Sequence, residues 1–213
     1  MRHSSTQQLH AYWLRKRGGS PAPLRSAIEP AAIVPLLGDL FILDAAAPGT
    51  APFRLAGTRF CANLGRELTG SDFLSLWPSA DRDALTSALG AIVSNGATAV
   101  LEVLGRTGRG NPLTAEMLLL PVSQDGRRID RVLGLLAPLE RPYWLGLHPI
   151  PQLEIAGLRW LPREEAPPAR PTVLATPPPA ASPEPLGRPA ASEPPLAAGR
   201  RHQHLVVLDG GRD

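Results

Sequence analysis

FRLAGTRFCANLGRELTGSDFLSLW, residues 53–77, sets Gly57, Gly65, Gly70 and the chain's only cysteine, Cys61, in one apolar run. A phosphate-cradling loop puts its glycines close together at a helix N-terminus, often with a lysine for the phosphates. Here the glycines are too widely spaced for GxGxxG, and Lys16, the only lysine of the chain, is far away in sequence. A reactive thiol needs a lowered pKa from a basic neighbour or a helix N-terminus. Arg59 is close in sequence but falls on another side of a helix, so Cys61 is expected to pack with Phe60 and Leu64. The stretch therefore reads as a strand running into short helices, with the glycines allowing sharp changes of direction.

Working outward, DLFILD (39–44) and PFRLAGT (52–58) are compact apolar runs separated by AAAPGTA, which predicts a β-hairpin. Short helical pieces are expected at Arg59–Leu64, Arg66–Leu68 and Asp72–Trp77. A longer helix follows from an N-cap at Ser79, with Asp81 and Asp83 in its first turn. Leu85, Leu89, Ile92 and Val93 form its apolar face, and Asn95-Gly96 ends it. Three further strands are expected at 97–106, 111–122 and 128–139, split by turns at Gly108–Gly110 and Gln124–Gly126. Upstream, Ser5 and Gln8 suggest a capping box for a helix at about 5–17, and Pro30–Leu37 suggests a second short helix that Pro35 makes less regular. Two strands, short helices, one long helix and three strands predict an α+β fold, a five-stranded antiparallel sheet with helices on one face.

Composition bounds the rest. The segment from Pro162 to Pro195 holds 12 of the 25 prolines among the 213 residues, with few large apolar side chains. Such a sequence is expected to remain a semi-extended linker. The net charge of +3 is too small to point to nucleic acid. One cysteine excludes an internal disulfide framework and a zinc site built from cysteine pairs. The N-terminus lacks the apolar core of a signal peptide, and no apolar run is long enough to span a bilayer, so a soluble cytoplasmic protein without a membrane partner is expected. The organisation read from the sequence is an N-terminal helical extension (1–38), a domain at 39–161, a proline-rich linker (162–203) and a C-terminal peptide (204–213).

The element order resembles the PAS fold. More specifically, YWLRKRG (12–18), LLGDLFILD (36–44), FRLAGTRF (53–60), GRELTGSDFLSLW (65–77) and the closing HLVVLDGGR (204–212) resemble a family of short bacterial proteins built on one PAS domain. The resemblance covers about residues 9–161 and the C-terminal tip. It implies a sensory or regulatory module that binds a small ligand between sheet and helices, or a protein partner on the sheet. Fold alone does not fix the function. In the flavin-binding, light-sensing branch of the superfamily the adduct cysteine sits in a GRNC-like motif. The comparable stretch here is Gly70-Ser71-Asp72-Phe73, with Phe73 at the cysteine's place, which disfavours flavin. Haem-binding members commonly use a histidine from the longer helix, and residues 79–95 contain none.

The remaining candidates are weighed by residue type. His202 and His204 make only a two-ligand set, so no metal site is expected. Glu102 and Glu116, on adjacent strands, could be imagined as a catalytic pair but read more simply as the solvent side. Arg106, Arg109, Arg127 and Arg128 cluster at two turns, the basis of a competing nucleic-acid reading. Leu64, Leu68, Phe73, Leu76, Trp77 and Leu89 are expected to face Val103, Met117 and Leu133, either filling a core or leaving room for a small ligand. Leu9, Tyr12 and Trp13 form an aromatic stripe that packs on the chain's own sheet or on a second copy, which makes a homodimer one expected assembly. HLVVLDGG (204–211) reads as a strand-like peptide able to join a sheet edge. The function expected is a non-catalytic signalling module acting in trans on a protein partner, with an enzyme of unknown chemistry as the alternative.

Overall fold

The computed structural model describes residues 1–162. The chain opens with helix α1 (Ser4–Arg17), followed by two 3-10 segments, Arg25–Ala27 and Pro30–Asp39. Strands β1 (Leu40–Asp44) and β2 (Phe53–Ala56) come next, then α2 (Thr58–Leu64), a 3-10 turn at Phe73–Leu76 and α3 (Ser79–Asn95). Strands β3 (Thr98–Arg106), β4 (Pro112–Val122), β5 (Arg131–Pro138) and β6 (Leu153–Leu161) complete the described residues. They form one antiparallel sheet in the order β2-β1-β5-β4-β3-β6. The α+β PAS-like architecture is thus present, with six strands rather than the five expected.

The sixth strand escaped the sequence reading for a physical reason. Against β3, Glu102 pairs with Gly157 but Val103 pairs with Ile155, so Ala156 is an extra, bulged residue. Ile155 and Leu158 consequently both pack on the same core, and the period of two that marks a strand is broken. The N–H of Ile155 is taken by the Asp81 carboxylate at 2.9 Å, which ties β6 to the first turn of α3.

Other boundaries differ through local hydrogen bonding. Arg66–Leu68 is not helical, because the Glu67 carboxylate accepts the N–H groups of Leu68 and Thr69, each at 3.0 Å, and the Thr69 hydroxyl. Such local bonding offers the backbone an alternative to the helix. The N-cap of α1 is His3, whose Nδ1 accepts the Ser5 N–H, and that of α3 is Pro78 rather than Ser79. Residues Pro30–Asp39 wind as 3-10 with a kink at Ile33, where Pro35 removes a donor from the would-be helix.

The sheet separates two apolar cores. The inner one lies under α2, the Phe73–Leu76 turn and α3, and includes Phe41, Phe53, Phe60, Phe73, Trp77, Leu101 and Met117. The outer one lies under α1 and the Pro30–Asp39 segment, and includes Leu9, Tyr12, Trp13, Ile33, Val100, Leu118 and Leu135. Burying each such large side chain is worth about 1.5–3 kcal/mol. The expected linker and C-terminal peptide, from residue 163 onward, lie outside the described residues, as do His202, His204 and the 204–211 strand-addition reading.

Candidate functional site

Five aromatic rings organise the inner core. Phe41 of β1 stacks on Phe60 of α2 at 5.1 Å between centroids and on Phe73 at 5.7 Å, and meets Phe53 of β2 edge-on at 5.6 Å. Trp77 stands edge-on to Phe73 at 5.6 Å. The hub position depends on Gly134, the residue directly opposite Phe41 on β5. A Cβ there would lie 2.1 Å from Phe41 Cζ, so the ring occupies the space that a side chain would fill.

Leu64, Leu68, Phe73, Leu76, Trp77, Leu89, Val103 and Met117 all belong to this inner core. Leu133 does not, and the expectation for it is corrected: it lies in the outer core, opposite Ile42 and Leu120. Its neighbour Val132 faces inward, and strand alternation sends Leu133 to the other side. Nearly every residue of β5 is buried, so no polar position marked in the sequence which face was which.

One polar group inside this core stands apart. The Trp77 indole is fully buried, and its Nε1–H has no acceptor among the described residues. A buried donor left unpaired costs about 1–3 kcal/mol, which the packing of the ring in the core has to offset. The Trp77 carbonyl, by contrast, accepts from Arg82 Nε at 3.0 Å.

The remainder of the 53–77 stretch is architecture. A Cβ at Gly57 would lie 2.4 Å from the carbonyl oxygens of both Leu37 and Gly38, so two backbone segments touch there. Next to it, Arg59 grips Asp39 through Nε at 3.0 Å and Nη2 at 2.8 Å, and reaches the Pro35 carbonyl. The paired carboxylate holds the guanidinium charge even more firmly than usual. Cys61 is half-buried, and burial first, then the neighbouring Glu67 carboxylate, push its thiol pKa up despite a backbone hydrogen bond from Leu68. The thiol therefore stays protonated near neutral pH and is a weak nucleophile.

On the outer face the sequence reading needs one correction. Glu116 is buried rather than solvent-facing. Its carboxylate accepts the N–H of Arg2 at 2.8 Å, the N–H of His3 at 3.2 Å and the Thr6 hydroxyl, so it anchors the start of α1 to β4. Burial acts to raise its pKa, but the bonds from Thr6, Arg2 and His3 and the nearby N-terminal ammonium outweigh that and leave it lowered. Glu102 sits directly across on β3 and pairs with the Arg2 guanidinium. The two carboxylates thus hold the N-terminal segment in place. Leu9, Tyr12 and Trp13 take the first of the two places expected for them, buried in this chain's own outer core. Trp13 Nε1 donates to the Pro121 carbonyl at 2.8 Å and the Tyr12 hydroxyl accepts the Glu29 N–H at 2.7 Å, so even their polar ends are engaged internally.

The four arginines do not make one patch. Arg106 and Arg109 lie at the β3–β4 end of the eleven-residue β4, and Arg127 and Arg128 at its β4–β5 end. At a rise of about 3.4 Å per residue the two pairs stand tens of ångströms apart. His148 approaches Arg109 at 3.5 Å, away from the inner core. Among the described residues no three His, Cys, Asp or Glu side chains converge as metal ligands, and no helix is long and apolar enough to cross a membrane.

Comparison with known proteins agrees with this architecture. The sequence matches the PAS domain family over residues 1–137, and the chain belongs to that family. PAS domains are a class of sensory and signalling module, typically without catalytic activity of their own. Among solved structures, the PAS domain of an HTR-like protein from Haloarcula marismortui is similar at 21% identity, covering 51% of this chain and 91% of that one with a TM-score of 0.38. The LOV protein of Rhodobacter sphaeroides is similar at 16% identity, covering 67% and 71% with a TM-score of 0.40. The PAS domain of the fruit-fly ELK potassium channel is similar at 16% identity, covering 49% and 88% with a TM-score of 0.37. No curated protein matches the chain.

Proposed function

We propose that the chain is a non-catalytic PAS regulator that acts in trans on a signalling partner in the cytoplasm, and that its input is a small molecule bearing a hydrogen-bond acceptor for Trp77. The observation that carries the input is the buried indole N–H without an acceptor among the described residues, in a core lined by aromatic rings. An acceptor there gains a hydrogen bond without breaking one in the protein, and its binding shifts how α3 and the Phe73–Leu76 turn pack on the sheet.

The output is the outer face. Helix α1 covers apolar sheet residues and is anchored by the buried Glu116 carboxylate at its start and by Tyr12 and Trp13 further along, so releasing it uncovers Val100, Leu118 and Leu135 for a partner. The test is native mass spectrometry of the full chain purified from its own cells, beside Trp77→Phe. A bound small molecule in the wild type that is lost from Trp77→Phe, with the fold retained by circular dichroism, is the expected result. A wild-type chain carrying nothing, or one whose bound molecule survives Trp77→Phe, overturns the ligand reading.

A further inference from the structure

A mid-helix glycine without a packing role marks a second binding place. Gly90 lies in α3, and a Cβ built on it would meet no atom within 4 Å. Helix interiors disfavour glycine, and here no close neighbour requires it. Its absent side chain instead forms part of the wall of an apolar cleft of about 350 Å³ between α3 and the β1–β2 loop. Leu74, Leu89, Val93, Ala45 and Pro48 supply apolar walls around it. The volume falls in the range of about 300–1,000 Å³ that small-molecule sites occupy.

The cleft continues into a larger groove. Ala46, Val93 and Ser94 line both, and the groove, about 950 Å³, carries Arg127 and Arg128 of the β4–β5 turn on its wall. Both arginines are exposed and have no ion pair among the described residues. The other charges around the groove are largely committed. Lys16 holds Glu29 at 2.6 Å, Asp130 takes the Gln124 N–H at 2.9 Å and faces Arg131 at 3.6 Å, and Asp125 accepts the N–H groups of Arg127 and Arg128. The combination is an apolar slot opening beside two exposed guanidinium groups without a direct ion pair among the described residues, Arg128 also feeling the charge of Asp125.

We infer that this cleft binds a soluble amphipathic monoanion, its apolar chain against Gly90, Leu89 and Val93 and its acidic head at Arg127 and Arg128. The cleft shares Leu74 and Leu89 with the inner core, but Trp77 does not line it, so Trp77→Phe removes no wall of the cleft and the two readings are tested by different variants. Isothermal titration with decanoate tests it, with decanol as the uncharged control of the same chain length. The wild type is expected to bind decanoate at least tenfold more tightly than decanol. Gly90→Leu, which fills the slot without meeting a neighbour at its Cβ, is expected to abolish binding of both while leaving the melting temperature unlowered. Replacing Arg127 and Arg128 together by alanine is expected to remove the preference for decanoate and leave decanol unchanged. Equal affinity for the two probes, no binding of either, or binding that survives Gly90→Leu overturns the inference. Association with phosphatidylglycerol vesicles in the absence of decanoate binding also overturns it, by assigning the arginines to a lipid surface instead.

Discussion

The two sides of the sheet are held by different means. The inner core relies on rings in mutual contact and on a glycine that lets one of them lie flat against the next strand. The outer core is mostly aliphatic, and its two large aromatics have their polar ends bonded within the chain. The inner side leaves one donor unpaired at Trp77, whereas the outer side spends a buried carboxylate to anchor a helix start. Dense ring packing resists change all at once. Helix α1, held at its start by Glu116 and further along by Tyr12 and Trp13, is able to detach without breaking the ladder of the sheet itself.

The largest expected effect tests the inner side. Phe41→Ala empties the hub of the ring cluster, and a loss of about 3–5 kcal/mol, a large fraction of a domain's stability, is expected in urea denaturation. Glu116→Ala tests the outer side and leaves the N–H groups of Arg2 and His3 without their acceptor, while the Thr6 hydroxyl keeps the His3 carbonyl. A loss of about 2–3 kcal/mol is expected. In hydrogen exchange the protection of residues 4–17 should fall much more than that of β3 and β4. Equal loss of protection on both faces would erase the distinction between a detachable side and a fixed one.

A smaller effect sharpens the same contrast through pH. Glu116 is lowered in the folded chain, so the unfolded state binds the extra proton as pH falls. Its contribution is fully present above the ordinary glutamate pKa of about 4.3 and is lost as pH drops through the lower folded value. Acidification should therefore loosen α1 before the aromatic core yields. In Glu116→Gln this acid-dependent step, followed by tryptophan fluorescence and amide exchange, should flatten.

The sequence made the inner side far more legible than the outer. Phe73, Trp77, Leu64 and Leu68 could be placed because helix period and turn residues set their directions. Leu133 could not, because a strand buried on both faces shows no polar alternation. Glu116 was misread for the opposite reason: a carboxylate between apolar neighbours has the pattern of a solvent-facing strand, and only the fold brings Arg2, His3 and Thr6 to it from more than a hundred residues away. Strand β6 was hidden by its own bulge. The Trp77 donor carries no sequence signal, since a tryptophan with an acceptor and one without are spelled alike.

The bulge at Ala156 also bears on what the protein does in a crowded solution. Strand β6 forms one rim of the sheet, where unpaired backbone groups would invite another chain to continue the ladder. There the ladder is put out of step, and Asp81 already occupies the Ile155 N–H. The opposite rim, β2, is only four residues long. Neither border offers a long, regular template, so this domain resists growing into fibres by end-to-end sheet extension.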